Sequence, residues 1–354
     1  GERRRERRMT EQTAKKKNQA WKTIAKIVFS AAALYFLFRK CDWAQLFSTL
    51  KNANVLYVLL ALAAVELTHV VGAARWRLLC PKAKFFSLFK LVFISRLYST
   101  VLPGQLFGEA AKVVYISQSN PEITAEEATA SVVVDKIVGL IGLLLVGICG
   151  AMFGVSALNR TITVWFAVCA FALALCVILP AFAPISRLIH RVLDTLKHRF
   201  PKAGGFIERL RLFLTSWQAY LKTPLVLGAS VLMGCLFQFL STLGMMLLGR
   251  AVGIQVALAD WCWIFAVLSI ALLLPVSFAG LGVREGTLVG FLGALGAASE
   301  LALSASLLSL FIQILDSLIG GAFALFDPTL KRQKRGQVQA APAQTEPAEQ
   351  NTAR

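Results

Sequence analysis

"LPGQLFGEAAK", Leu102–Lys112, closes an apolar run, and its reading decides the fold. Pro103 removes a backbone donor and Gly104 loosens the chain, so a helix stops here. Glu109 and Lys112 then fall where the flanking residues predict hydrocarbon. Backbone that leaves helical geometry in hydrocarbon must find its partners in protein or in water. The stretch therefore predicts a turn buried in a helix bundle or lining a wet cavity, with ionisable groups beside it.

The rest of the chain supports a membrane setting. Of 354 residues, 57% are hydrophobic and 16% charged, and the mean hydropathy is +0.66, outside the range of a soluble domain. Runs long enough to cross about 30 Å of hydrocarbon are read at 24–38, 54–74, 128–154, 162–183, 225–249 and 301–326. Two further apolar regions, 85–117 and 261–297, are cut by Pro and Gly.

The net charge of +18 gathers where apolar runs stop, in the amino-terminal stretch 1–23, in the cluster Lys331, Arg332, Lys334 and Arg335, and in the loop 184–223. These are topology signals for an anionic inner-leaflet surface, and no nucleic-acid partner is expected. Arg75, Arg77, Lys82, Lys84 and Lys90 are read as one cytoplasmic loop. The first eight residues precede Met9 and are left out of fold reasoning. Seven scattered cysteines show no paired spacing, and three histidines show no metal-ligand spacing, so neither a metal nor a cofactor is expected.

Parity decides the interrupted regions. If 85–117 crossed the membrane once, the basic loop 184–223 would face outside, against the charge rule. An entry that turns at Pro103 and Gly104 and returns keeps it cytoplasmic, and 261–297 obeys the same logic at Pro275. Within the loop, Ile185, Leu188, Ile189, Val192, Leu193 and Leu196 repeat at helical spacing, as do Phe206, Ile207, Leu210, Phe213, Leu214 and Trp217, which predicts surface helices. The tail 329–354 is polar and expected to be disordered.

The two halves correspond. Pro103 and Pro275 open the two breaks (275 − 103 = 172), Arg75 and Arg250 close the preceding spans (250 − 75 = 175), and Glu126 and Glu300 open the following spans (300 − 126 = 174). Near-constant offsets argue for a duplication. Three spans and one even-parity region separate matching points, so the copies face opposite ways. The fold expected is an all-α polytopic membrane protein with an inverted repeat, about six full spans plus two Pro/Gly-interrupted re-entrant helical hairpins. Residues 24–328 form the membrane domain, with repeat one at 54–154 and repeat two at 225–326.

Paired interruptions in corresponding halves point to a transporter site. They select Pro103, Gly104, Gly108 and Glu109 with Pro275, Gly280, Gly282, Arg284 and Glu285. A half-helix starting at Gly108 or Gly282 would aim its free N–H groups at the turn and suit an anionic headgroup. Arg96, Lys112 and Arg284 add charge-assisted contacts, while Asp135 and Lys136 enter the next span beside the first hairpin. The competing reading makes Glu109–Lys112 and Arg284–Glu285 internal ion pairs that hold the hairpins in register. Glu66, His69 and Asp316 are read as structural, each satisfied by a neighbouring helix.

The stretches "RLYSTVLPGQLFGEAAKVVYIS", "EEATASVVVDKIVGLIGLLLVG" and "LLLPVSFAGLGVREGTLVGFLGALG" resemble the flippase-like membrane region of lysylphosphatidylglycerol synthases over about 20–328. The resemblance implies movement of polar lipids between leaflets in a bacterial cytoplasmic membrane; the basic loops predict both termini inside, and scattered carboxylates without a nucleophile–base pair or metal cluster predict no enzymatic chemistry. It points to the hairpin residues named above. On this sequence a stand-alone member is expected, since no aminoacyl-transferase domain follows the membrane part. The partners expected are membrane lipids with charged headgroups, together with a second copy or a lipid-biosynthetic enzyme. The alternatives are a scaffold for such an enzyme, working through 184–223, and an intramembrane lipid-modifying enzyme.

Overall fold

The computed structural model describes residues 43–101, 106–120, 122–154, 158–178, 183–199, 204–273 and 280–326. The expected span 24–38, both terminal tails, Pro103, Gly104 and Pro275 lie outside the described residues. Among those described there are only helices and their connections: α1 (Trp43–Lys51), α2 (Val55–Leu79), α3 (Phe85–Val101), α4 (Leu106–Ser119), α5 (Ala125–Phe153), α6 (Leu158–Ile178), α7 (Ala183–Arg199), α8 (Gly204–Leu221), α9 (Pro224–Ala251), α10 (Leu258–Leu273), α11 (Val283–Ala294) and α12 (Ser299–Phe326). Helices α2, α5, α9 and α12 are each long and apolar enough to cross a membrane.

Local chemistry fixes the ends. The Asn54 side chain accepts the Leu56 N–H at 3.0 Å and starts α2. Thr124 and Glu127 exchange bonds of 3.2 Å in a capping box that starts α5. Pro224 begins α9, where its missing N–H costs nothing. The apolar runs carry no single greasy stripe, because their outer faces meet lipid. Leu59, Leu232 and Leu318 are 57%, 72% and 65% exposed, a pattern a water-facing surface would not sustain.

The two repeats are inverted. Along the α2–α9 contact, the Asn54 N–H donates to the Ala251 carbonyl, Gly244 approaches Ala61 and Val65, and Gly72 approaches Phe237. The start of α2 thus meets the end of α9, so these corresponding helices run antiparallel. Each interrupted region is a hairpin, α3 against α4 and α10 against α11. The hairpins are exchanged, since α3 packs on α12 of the other repeat and α10 packs on α5. One contact recurs in both copies. Gly320 lies against the backbone of Phe93, and Gly147 lies 2.9 Å, measured from an ideal Cβ, from the Cβ of Ala266. The offsets are 320 − 147 = 173 and 266 − 93 = 173. Small residues there let the exchanged helices approach closely.

Two apolar cores flank this arrangement. One gathers Trp261, Trp263, Ile264, Leu288 and Leu292 with Leu143 and Met245. The other gathers Trp76, Leu88, Ile94, Ile116 and Val134 with Trp217 of α8. Burial of Ile207 and Trp217 shows that α8 spends part of its apolar stripe inside the protein. On α7 Leu188, Val192 and Leu196 are exposed while Leu193 is buried.

Candidate functional site

A cavity of about 350 Å³ lies between the repeats, walled by α2, α3, α4 and α5 of the first and by α9, α10, α11 and α12 of the second. Its volume suits a polar headgroup and not a whole lipid. Arg96, Glu109, Lys112, Asp135, Lys136, Gly280 and Arg284, all singled out in the sequence, line it. Gly108, Gly282 and Glu285 do not.

The first hairpin supplies a basic wall. The Glu109 carboxylate sits between two ammonium groups, 3.1 Å from Lys112 and 2.9 Å from Lys136. This pairs α4 with itself and with α5, so the cluster both holds the hairpin and leaves one positive charge in excess. Lys112 also lies over the Trp76 ring. Arg96 opens onto the cavity from α3, and no ion pair is made to it among the described residues. It is the cation best placed to meet an incoming anion.

Deeper in, Arg75 donates from Nε to Asp135 at 2.7 Å and from Nη2 at 3.1 Å. The guanidinium also faces the Phe237 ring at 5.3 Å and occupies a notch where Gly139 and Gly234 have no side chains. Reading Arg75 as part of a cytoplasmic loop is thereby corrected: α2 continues to Leu79, and the side chain is 7% exposed inside the bundle. Lys90 likewise belongs to α3, over the Phe86 ring.

The second hairpin is built differently. Gly280 and Gly282 take φ of 79° and 83°, a region that penalises any side chain, and they shape the entry into α11. Glu285 accepts the Gly282 N–H at 2.6 Å and the Ser306 hydroxyl at 2.8 Å, and it pairs with Arg284 at 3.4 Å. At 1% exposure it caps α11 and offers nothing to the cavity. Arg284 reaches the cavity and is held there by Gln313 at 3.0 Å. Gln313 and Ser317 in turn bond to Thr100 at 3.2 and 2.8 Å, tying the first hairpin to α12. Gly108 does not begin α4, which starts at Leu106; a Cβ there would collide with Ser99 and the Ser95 carbonyl, so its role is close packing on α3.

Sequence reasoning missed one convergence. His69 Nε2 lies 3.0 Å from Asp316 Oδ2, joining α2 to α12, and Glu66 adds a third group within 4.8 Å of both. Glu66 and His69 at i, i+3 were visible as a pair; nothing in the sequence brought Asp316 to them.

Residues 23–320 match the family described as the lysylphosphatidylglycerol synthase TM region. The chain belongs to that family. No curated protein matches it. The lysylphosphatidylglycerol synthase TM region covers repeat one, repeat two as far as Gly320 and every residue that lines the cavity, which places the chain as a multi-pass membrane protein of lipid metabolism or transport.

Proposed function

We propose that this chain moves a lipid with an anionic headgroup between leaflets, without covalent chemistry. The observation that supports this reading best is a cavity walled by both inverted repeats, with a basic cluster at Arg96, Lys112 and Lys136. A phosphate would bind Arg96 and the excess charge of the Glu109 cluster, while its acyl chains stay in lipid. Rocking of one repeat against the other would open the cavity to each leaflet in turn. On this reading the chain sits in a bacterial inner membrane with both termini on the cytoplasmic side, where α7 would rest its Leu188, Val192 and Leu196 on the leaflet.

The test is reconstitution in liposomes carrying a fluorescent phosphatidylglycerol, with leaflet exchange read by an impermeant quencher. Arg96→Gln removes one charge-assisted bond, about 1.5–3 kcal/mol, so exchange should slow at least about tenfold while folding is kept. Wild-type protein that leaves exchange at the protein-free rate would refute the proposal. Chemical conversion of the lipid would establish an enzyme instead.

A further inference from the structure

The geometry points to a proton-binding site at Glu66, His69 and Asp316, set where the two repeats meet and loaded together with the headgroup. His69 and Asp316 both line the cavity, and they are 0% and 3% exposed. Their arrangement is chemically incomplete. With Nε2–H donated to Asp316 Oδ2, His69 Nδ1 is left as a bare lone pair, and it has no partner among the described residues. Asp316 Oδ1 is also buried without a donor. Glu66 brings a second carboxylate within 4.8 Å. Two carboxylates at this separation, away from bulk water, cannot both stay charged, and a shared proton is the simplest occupant.

The balance is simple. One proton added to Glu66 makes a carboxylic acid whose O–H can donate to Asp316 Oδ1, and a second can settle on His69 Nδ1. No bond to carbon changes. The first proton removes the Glu66 charge beside His69 and Asp316, and the second makes an imidazolium that offsets the Asp316 carboxylate.

The surrounding charges give the site its consequence. From α3 it meets Arg96; from α4, Lys112 with Glu109; from α5, Lys136 and the Asp135 that holds Arg75. Helix α11 contributes Arg284, already held by Glu285 and Gln313. Helices α9 and α10 contribute no charge, only the polar side chains of Gln238, Ser241 and Ser269. The phenyl ring of Phe93, 4.6 Å from the imidazole, closes the remaining side. When the triad is unprotonated, its negative charge competes for Arg96 and Lys112. When it is protonated, those cations are released to an anion. Proton and headgroup therefore bind cooperatively, and a proton gradient can drive the lipid in the same direction.

This second half rests on the transport reading, so the test has two arms. In nanodiscs, infrared difference spectra between neutral and alkaline pH should contain a protonated-carboxyl C=O band. That band should vanish in Glu66→Gln and Asp316→Asn and persist in Glu122→Gln, a loop control. In liposomes, an inward-acid gradient should raise phosphatidylglycerol exchange at least threefold for wild type. In Glu66→Gln, whose neutral side chain imitates the protonated acid, the response to the gradient should be lost. Absence of the band overturns the site whatever the lipid does. A band with exchange indifferent to the gradient overturns the coupling and leaves transport standing. No exchange at all in wild type overturns the transport reading alone. Stoichiometric zinc or manganese bound to purified wild type and lost in His69→Ala would replace the proton with a metal.

Discussion

Replacing Asp135 by Asn tests how the cavity floor is held. The carboxylate accepts two bonds from Arg75, at 2.7 and 3.1 Å, and both side chains are under a tenth exposed. Asn keeps the shape but turns one acceptor into an N–H that faces a donor, and it leaves the guanidinium charge uncompensated. Arg75 Nη1 already lacks an acceptor, so there is no spare bond to fall back on. Each bond to a charged group contributes about 1.5–3 kcal/mol, and removing one member of a buried pair costs about 3–5 kcal/mol. The folding equilibrium constant should therefore drop by about a hundredfold or more. Loss of helical circular dichroism on titration with a denaturing detergent, in bicelles, measures this. Arg75→Met combined with Asp135→Leu removes both charges and should recover most of the loss, giving a coupling energy of at least about 2 kcal/mol in the double-mutant cycle. A value for Asp135→Asn within about 0.5 kcal/mol of wild type, or a double variant no better than the sum of the singles, would refute the account of this pair.

Two further outcomes follow from the backbone. Gly320→Ala puts a methyl group into the Phe93 backbone, whereas Gly321→Ala meets nothing within 4 Å; the first should lose about 1–3 kcal/mol by overpacking and the second none, measured in the same detergent titration. Gly282→Ala forces a side chain into φ of 83° at the α11 cap, so it should cost about 1–2 kcal/mol and lower the thermal midpoint, with Gly286→Ala, in open space, as the neutral control.

Much of this fold was legible in the chain. The two Pro/Gly breaks separate α3 from α4 and α10 from α11 where the apolar runs fail, because a missing donor and a loosened backbone are local properties. The offset of about 173 residues was legible too, and Glu126 and Glu300 each stand second in their helices, α5 and α12. The exchange of hairpins between repeats was not legible. It depends on which apolar face meets which, and faces that are greasy all round carry no periodic signal. The same gap hid Arg75, whose basic side chain looked like a loop signal until Asp135, 60 residues later, was placed beside it. It also hid Asp316, whose partner His69 lies 247 residues away. Glu285 is a ligand candidate by its place at the second Pro/Gly interruption; its burial and the Gly282 N–H it accepts depend on packing that sequence alone does not reveal.

The proposed transport requires a lipid headgroup to enter the cavity between the repeats. A photoreactive amino acid installed at Gln313, which lines it, or at Leu232, on the lipid-facing side of α9, measures this in membranes containing phosphatidylglycerol labelled at its headgroup. Headgroup adducts are expected at Gln313, falling when Arg96 is replaced by Gln, with few at Leu232. Adducts confined to Leu232, or equal at both positions and indifferent to Arg96, would contradict the proposal.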